Sequence, residues 1–228
     1  MDEYKQGVRD SLPIMLGVVP FGITCGIMGL SAGLTPVETV LMSLLVFAGA
    51  AQFIGITMLG AGFTGWGLIV FTTLLINLRH LLMGMSLAPH LLKLPLARQL
   101  LLTFPLTDEA YAVTMSRTDR EGYNANYQMG SSWAFYCIWA ASTTVGVLVG
   151  SYIPDPLAWG LDFAMPATFL AMLMPRLTNS VSLAVCSVAA VVAIAGAVYL
   201  PGKWYIIAAC LAASITGGLL EKEDKHAV

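Results

Sequence analysis

Four stretches of this chain hold no acidic, basic or histidine residue: Ser11 to Val37, Thr39 to Leu78, Gly122 to Pro154 and Leu177 to Gly202. About 20 consecutive apolar residues in a helix cross the ~30 Å hydrocarbon core of a bilayer, and buried helices of soluble domains are shorter and one-sided. In lipid, every backbone N–H and C=O must be satisfied inside the structure. The runs are apolar throughout rather than alternating, so the fold class they demand is an all-α integral membrane protein. Charged residues make up only 11% of the chain, against about a quarter in soluble domains. The net charge of −2, without a basic stripe, excludes nucleic acid as a partner. Cys25, Cys137, Cys186 and Cys210 all lie in apolar runs and form no CxxC pair, so they read as small packing residues.

The chain divides into about eight transmembrane segments of the length a bilayer needs. They cover Leu12 to Ala32, Glu38 to Leu59, Trp66 to Leu87, Leu96 to Met115, Met129 to Ser151, Leu157 to Met174, Ser180 to Leu200 and Trp204 to Leu220. The chain is expected to be a single transmembrane domain, 1–228, with short exposed tails near 1–10 and 221–228. With a cytoplasmic N-terminus, Lys5, Arg9, Arg117, Arg120, Arg176, Lys222 and Lys225 fall inside and only Lys93, Arg98 and Lys203 outside. That distribution obeys the positive-inside rule, and it favours a crossing or near-crossing by Leu96 to Met115.

That fourth segment contains Asp108 and Glu109, two adjacent acids just after Pro105. An ionisable group at membrane depth is costly unless paired, protonated or wetted, and is a functional candidate by default. On a helix the two point about 100° apart, so one can face a cavity and the other a cation; Asp108 is taken as the cavity residue. The cation at hand is Arg79, in Asn77-Leu78-Arg79-His80 of the third segment. Arg79 either snorkels to the headgroups or pairs with Asp108 or Glu109. His80 joins Arg79 and the acids as a candidate for the charge pair or proton coupling.

Two prolines sit mid-segment, Pro20 in the first and Pro166 in the sixth. Each is either a simple kink or a true break, and the two segments point in opposite directions. Broken helices in inverted repeats are a transporter pattern. At a break near Pro20-Phe21-Gly22, backbone N–H groups at an electropositive helix end would receive a carboxylate. The glycines Gly26, Gly29 and Gly33 mark a face suited to close helix packing. In the second segment, Gln52 is either an interhelical hydrogen-bonding group or a ligand lining a cavity, and Phe53 beside it would shape an apolar pocket. Trp133, Tyr136 and Trp139 form an aromatic stripe, read as packing or interface belt. There is no HExxH, GxSxG, P-loop or Cys/His cluster with metal spacing, so no enzyme, metal or cofactor is expected.

Four motifs in this order resemble the AzlC-type branched-chain amino-acid permease family. They are Leu12-Pro13 through Pro20-Phe21-Gly22, Val46-Phe47-Ala48-Gly49-Ala50-Ala51-Gln52-Phe53, Asn77-Leu78-Arg79-His80-Leu81-Leu82-Met83-Gly84, and Leu106-Thr107-Asp108-Glu109-Ala110-Tyr111. The resemblance covers about Gly7 to Ala193. It implies a bacterial inner-membrane exporter of branched-chain amino acids, with methionine often accepted, driven by the proton gradient. It also implies a small membrane subunit of the AzlD type. On that reading Pro20, Phe21, Gly22, Gln52, Phe53, Asn77, Asp108 and Glu109 contact the substrate. The rival readings are a non-transporting membrane scaffold and a channel subunit.

Overall fold

Asp2 starts α1 (Glu3–Ser31) by accepting a hydrogen bond from the Tyr4 amide. The computed structural model describes residues 2–63, 65–152, 170, 173–174, 177–199 and 204–224. After α1 come α2 (Pro36–Leu45), α3 (Gly49–Gly60), α4 (Trp66–Leu91), α5 (Leu96–Thr103), α6 (Asp108–Glu121) and α7 (Ala125–Ser151). Two further helices, α8 (Ser180–Tyr199) and α9 (Trp204–Asp224), follow. The described residues contain no strand. The chain divides into residues 1–165 and 166–228. In the second unit α8 packs on α9, with Val185 against Gly217. The sixth expected segment, with Pro166, lies almost wholly outside the described residues.

Among the described residues, α1, α4, α7 and α8 are each long and apolar enough to cross a membrane. The second and fourth expected segments are not single helices. The second is split into α2 and α3 at residues 46–48, and the fourth into α5 and α6 at residues 104–107. At 1.5 Å per residue each pair adds up to about 33 Å, the thickness of the hydrocarbon core.

The first segment departs from expectation in the other direction. Pro13 and Pro20 lie inside α1, which runs unbroken from Glu3 to Ser31. Pro20 removes one donor, so the Leu16 carbonyl loses its helical partner. The helix survives because it is clamped to α7 on both sides of the proline. Gly7 rests on the Tyr127 carbonyl, Gly22 on Ser142, Gly26 on the Thr143 carbonyl, and Gly146 and Gly150 on the backbone of Ile23 and Ile27. Small residues on facing sides let two backbones touch, which is how membrane helices gain packing without a hydrophobic drive. Gly26 and Gly29 belong to packed faces, Gly29 against Thr39 of α2, whereas Gly33 lies past the helix end at φ 90°.

The order of these contacts fixes a direction. Residue 7 meets residue 127 and residue 27 meets residue 150, so α1 and α7 run parallel. An odd number of crossings therefore separates them. With α4 crossing once, the α2–α3 and α5–α6 pairs either both cross or both turn back. The same contacts bring the N-terminal ends of both helices together. There Arg117, 8% exposed, bridges Glu3 at 3.3 Å and Glu121 at 3.1 Å and lies over the Tyr127 ring, while Tyr127 donates to Asp10.

The two breaks have different causes. Pro105 cannot donate a helical bond and disfavours helix at Phe104 before it, so α5 stops there. Thr107 then caps α6 by accepting from the Ala110 amide. No proline marks the other break. Phe47 sits at φ 43°, a conformation that a bulky residue rarely adopts, and it is 4% exposed. What holds it is α7. The Phe47 ring packs edge-on against Tyr136 at 4.9 Å. Tyr136 donates its hydroxyl to the Leu44 carbonyl at the end of α2. Trp133 does the same for the Leu101 carbonyl of α5, and Gln128 for Leu102. Helix C-termini leave carbonyls without partners, and lipid supplies none. The aromatic stripe of α7 therefore caps both interrupted helices, a role beyond the packing expected of it.

Candidate functional site

Asn77, Arg79 and His80 lie halfway along α4, far from either end of a 26-residue helix. The second break places Asp108 and Glu109 in the first turn of α6, where the helix macrodipole favours negative charge. Arg79 Nη1 donates to Asp108 Oδ2 in an ion pair whose side chains are 29% and 20% exposed. Of the two fates open to Arg79, the structure shows the pair and not snorkelling. It is Asp108, not Glu109, that takes the arginine, which reverses the expected division between the acids. The reason is the break, which makes Asp108 the first residue of α6 and brings it within reach of Arg79 on α4. Glu109 is half-buried and makes no salt bridge among the described residues. His80 lies within electrostatic reach of Arg79, Asp108 and Glu109. Tyr111, one turn further along α6, donates to Ser86 of α4 at 2.8 Å and fixes the two helices together.

Three side-chain atoms in this short stretch are shut off from water and have no hydrogen-bond partner: Asn77 Oδ1, Arg79 Nε and His80 Nδ1. Buried polar atoms in native structures are nearly always satisfied; here the His80 ring also meets the Asn77 backbone, and Asn77 and Arg79 lie about 160° apart around α4.

Gln52 is elsewhere engaged. It is 2% exposed, donates to Ser43 at 2.8 Å and accepts from Trp139 at 3.1 Å, while Ser43 donates to Thr143. Of its two readings the structure shows the interhelical one, binding α2, α3 and α7 together beside the first break. Phe53, 2% exposed, meets Trp139 edge-on at 6.4 Å. Pro20 is exposed and Phe21 half-buried, while Gly22 is pressed on Ser142. With α1 continuous there, no free helix end exists to receive a carboxylate, and that expected role of Pro20, Phe21 and Gly22 loses its basis. The structure thus brings together Asn77, Arg79, His80, Asp108 and Glu109, and puts Gln52 and Phe53 in a separate network. Trp133 and Tyr136, which hold both breaks, were not singled out as functional. Their signal was an indole and a phenol three residues apart, among several serine and threonine hydroxyls of the same segment. Among the described residues no three His, Cys, Asp or Glu side chains are grouped to hold a metal ion.

The sequence profile of the AzlC protein family matches residues 13–153, which include all of these site residues. The chain is 30% identical over 200 residues to the inner membrane protein YgaZ of Escherichia coli (strain K12), covering 85% of this chain and 80% of that protein. It is 32% identical over 176 residues to an uncharacterized membrane protein of Archaeoglobus fulgidus, covering 76% of each. It is 26% identical over 182 residues to the branched-chain amino acid transport protein AzlC of Bacillus subtilis (strain 168), covering 76% of this chain and 67% of that one. No solved structure is significantly similar to the chain.

Proposed function

We propose, on the premise that this chain belongs to the AzlC family, that it exports branched-chain amino acids across the bacterial inner membrane. The substrate class follows the name of the Bacillus subtilis relative. The single observation that carries the reading is the ion pair of Arg79, in the middle of α4, with Asp108 at the start of α6. A carrier must desolvate both charges of a zwitterion, and this is a place where opposite charges already coexist away from water.

The finer features belong to the same proposal. Transport is secondary and proton-coupled: no phosphate-binding loop is present in the sequence, and Glu109 is an acid at the site without a salt-bridge partner among the described residues. A small membrane subunit of the AzlD type completes the exporter, and the N-terminus is cytoplasmic, as the resemblance and the basic residues near Glu3 and Arg117 suggest. The test is counterflow of labelled leucine, valine or isoleucine in proteoliposomes, with and without a small subunit. Asp108→Asn and Glu109→Gln should each impair uptake, and an imposed pH gradient should change the flux. Transport unaltered in both variants would remove the acids from the mechanism.

The salt bridge itself favours one alternative, a scaffold in which Asp108 merely ties α6 to α4. That reading predicts normal assembly of the charge-swapped Arg79→Asp, Asp108→Arg protein and no ligand binding by the wild type.

A further inference from the structure

The directions of the half-helices decide how the two interrupted segments lie in the membrane. Face A is the end where Glu3 of α1 meets Arg117 and α7 begins; face B is the end where α1 and α7 finish. α2 leaves face B, with Thr39 on Gly29, and stops where Leu44 meets Tyr136 in the middle of α7. α3 starts there, with Gly49 on the Trp139 ring, and ends at Gly60 against Ala32, just past the end of α1. It has come back to face B, and the Gln52–Ser43 bond at 2.8 Å ties its first turn to the last turn of α2.

The other pair mirrors it. Arg79, Ser86 and His90 of α4 meet Asp108, Tyr111 and Tyr123 in that order, so α4 and α6 run parallel. α6 ends at face A, where Arg117 reaches Glu3, so α4 ends there too. α5 begins after residues 92–95, hence at face A, and stops beside Gln128 and Trp133 of α7. The longest of the four half-helices, α6 with 14 residues, spans about 21 Å, short of the ~30 Å core.

We infer that residues 2–152 cross the membrane three times, through α1, α4 and α7, and that α2–α3 and α5–α6 are re-entrant hairpins that enter from opposite faces and meet at Tyr136. The Tyr136 ring packs on Phe47 of one tip at 4.9 Å and on Phe104 of the other at 5.7 Å. Non-helical backbone at membrane depth is tolerated where protein buries it, and Phe47, Pro105 and Leu106 are all buried. Charge agrees. Between residues 2 and 152 the basic residues are Lys5, Arg9, Arg79, Lys93, Arg98, Arg117 and Arg120. Two hairpins gather all of them but Arg79 at face A, whereas two crossings would send Lys93 and Arg98 to face B. The positive-inside rule therefore favours the hairpins and makes face A cytoplasmic. To the transport reading, on which it does not depend, this topology adds that the Arg79–Asp108 pair stands at the tip of the hairpin entering from face A.

The test is the side from which single added cysteines react with a membrane-impermeant maleimide, in spheroplasts and in inside-out vesicles. Labelling is read against the unsubstituted chain, whose own cysteines Cys25, Cys137, Cys186 and Cys210 lie within helices. Ser31→Cys and Ala61→Cys should react from one side only, and Lys93→Cys and Asn126→Cys only from the other; all four positions are exposed. Two crossing segments would instead group Ala61 with Asn126 and Lys93 with Ser31, and that grouping, or any other, overturns the inference. Where a decisive variant fails to fold, Trp66→Cys and Leu92→Cys, at positions 70% and 73% exposed, repeat the readings for Ala61 and Lys93.

Discussion

Replacing Gly146 with alanine tests the parallel seam between α1 and α7. A Cβ built on Gly146 lies 2.8 Å from both the Cα and the carbonyl carbon of Ile23. Ordinary contact begins at about 3.4 Å, the Ile23 carbonyl oxygen lies nearer still, and backbone cannot rotate aside as a side chain can, so the helices must part by about an ångström. That shift loosens the neighbouring seats of Gly22, Gly26 and Gly150. Overpacking of this kind costs about 1–3 kcal/mol, offset by up to ~1 kcal/mol from alanine's better helix propensity. The expected net loss is about 1–2 kcal/mol. Gly17, on the same helix, has nothing within 4 Å of its Cβ position, and Gly17→Ala should be neutral or stabilising by roughly 0.5–1 kcal/mol. Reversible unfolding in mixed detergent micelles measures both. If Gly146→Ala equals or exceeds Gly17→Ala in stability, the close approach of α1 and α7 is wrong.

Other outcomes follow from the same contacts. Tyr136→Phe leaves the Leu44 carbonyl buried without its donor and should destabilise by about 1–3 kcal/mol in the same assay; an unchanged midpoint would deny the capping role. Gln52→Leu strands the Trp139 indole while Ser43 keeps its bond to Thr143, and a loss of similar size is expected, with leucine affinity intact in the folded fraction. Arg79→Gln and Asp108→Asn should each destabilise by about 1.5–3 kcal/mol through loss of the charge-assisted bond between part-buried side chains, and the double variant should lose less than the sum of the two. Additive losses in that cycle would mean that the two side chains do not pair. Burial pushes the Tyr123 phenol, which donates to Gln128, up to about 12. Its folded value lies above the unfolded ~10, so its contribution is complete below pH 10 and fades as pH rises through 12. Tyr123→Phe should flatten that alkaline limb.

The uncharged runs made the helical membrane class legible, because lipid leaves the backbone few choices. The acid pair and Arg79 were legible for the same reason: a charge at membrane depth needs a partner. Which acid pairs was not, since α6 starts at Asp108 only because Thr107 caps it after the Phe104-Pro105 stop. The breaks were read from prolines, and that rule failed in both directions. Pro20 stays within a helix because glycines clamp it to α7. Phe47 breaks one without a proline because Tyr136, distant in sequence, holds its ring and caps the preceding carbonyl. Tertiary contacts of this kind leave no local pattern in the chain.

The central claim is that the locus joining the middle of α4 to the start of α6 binds a branched-chain amino acid. Saturation binding of labelled leucine to the purified protein, wild type beside Arg79→Lys and Asp108→Asn, tests it most directly. The account predicts saturable binding in the wild type that weakens tenfold or more in both variants while their fold is retained. Equal binding in all three proteins would contradict it.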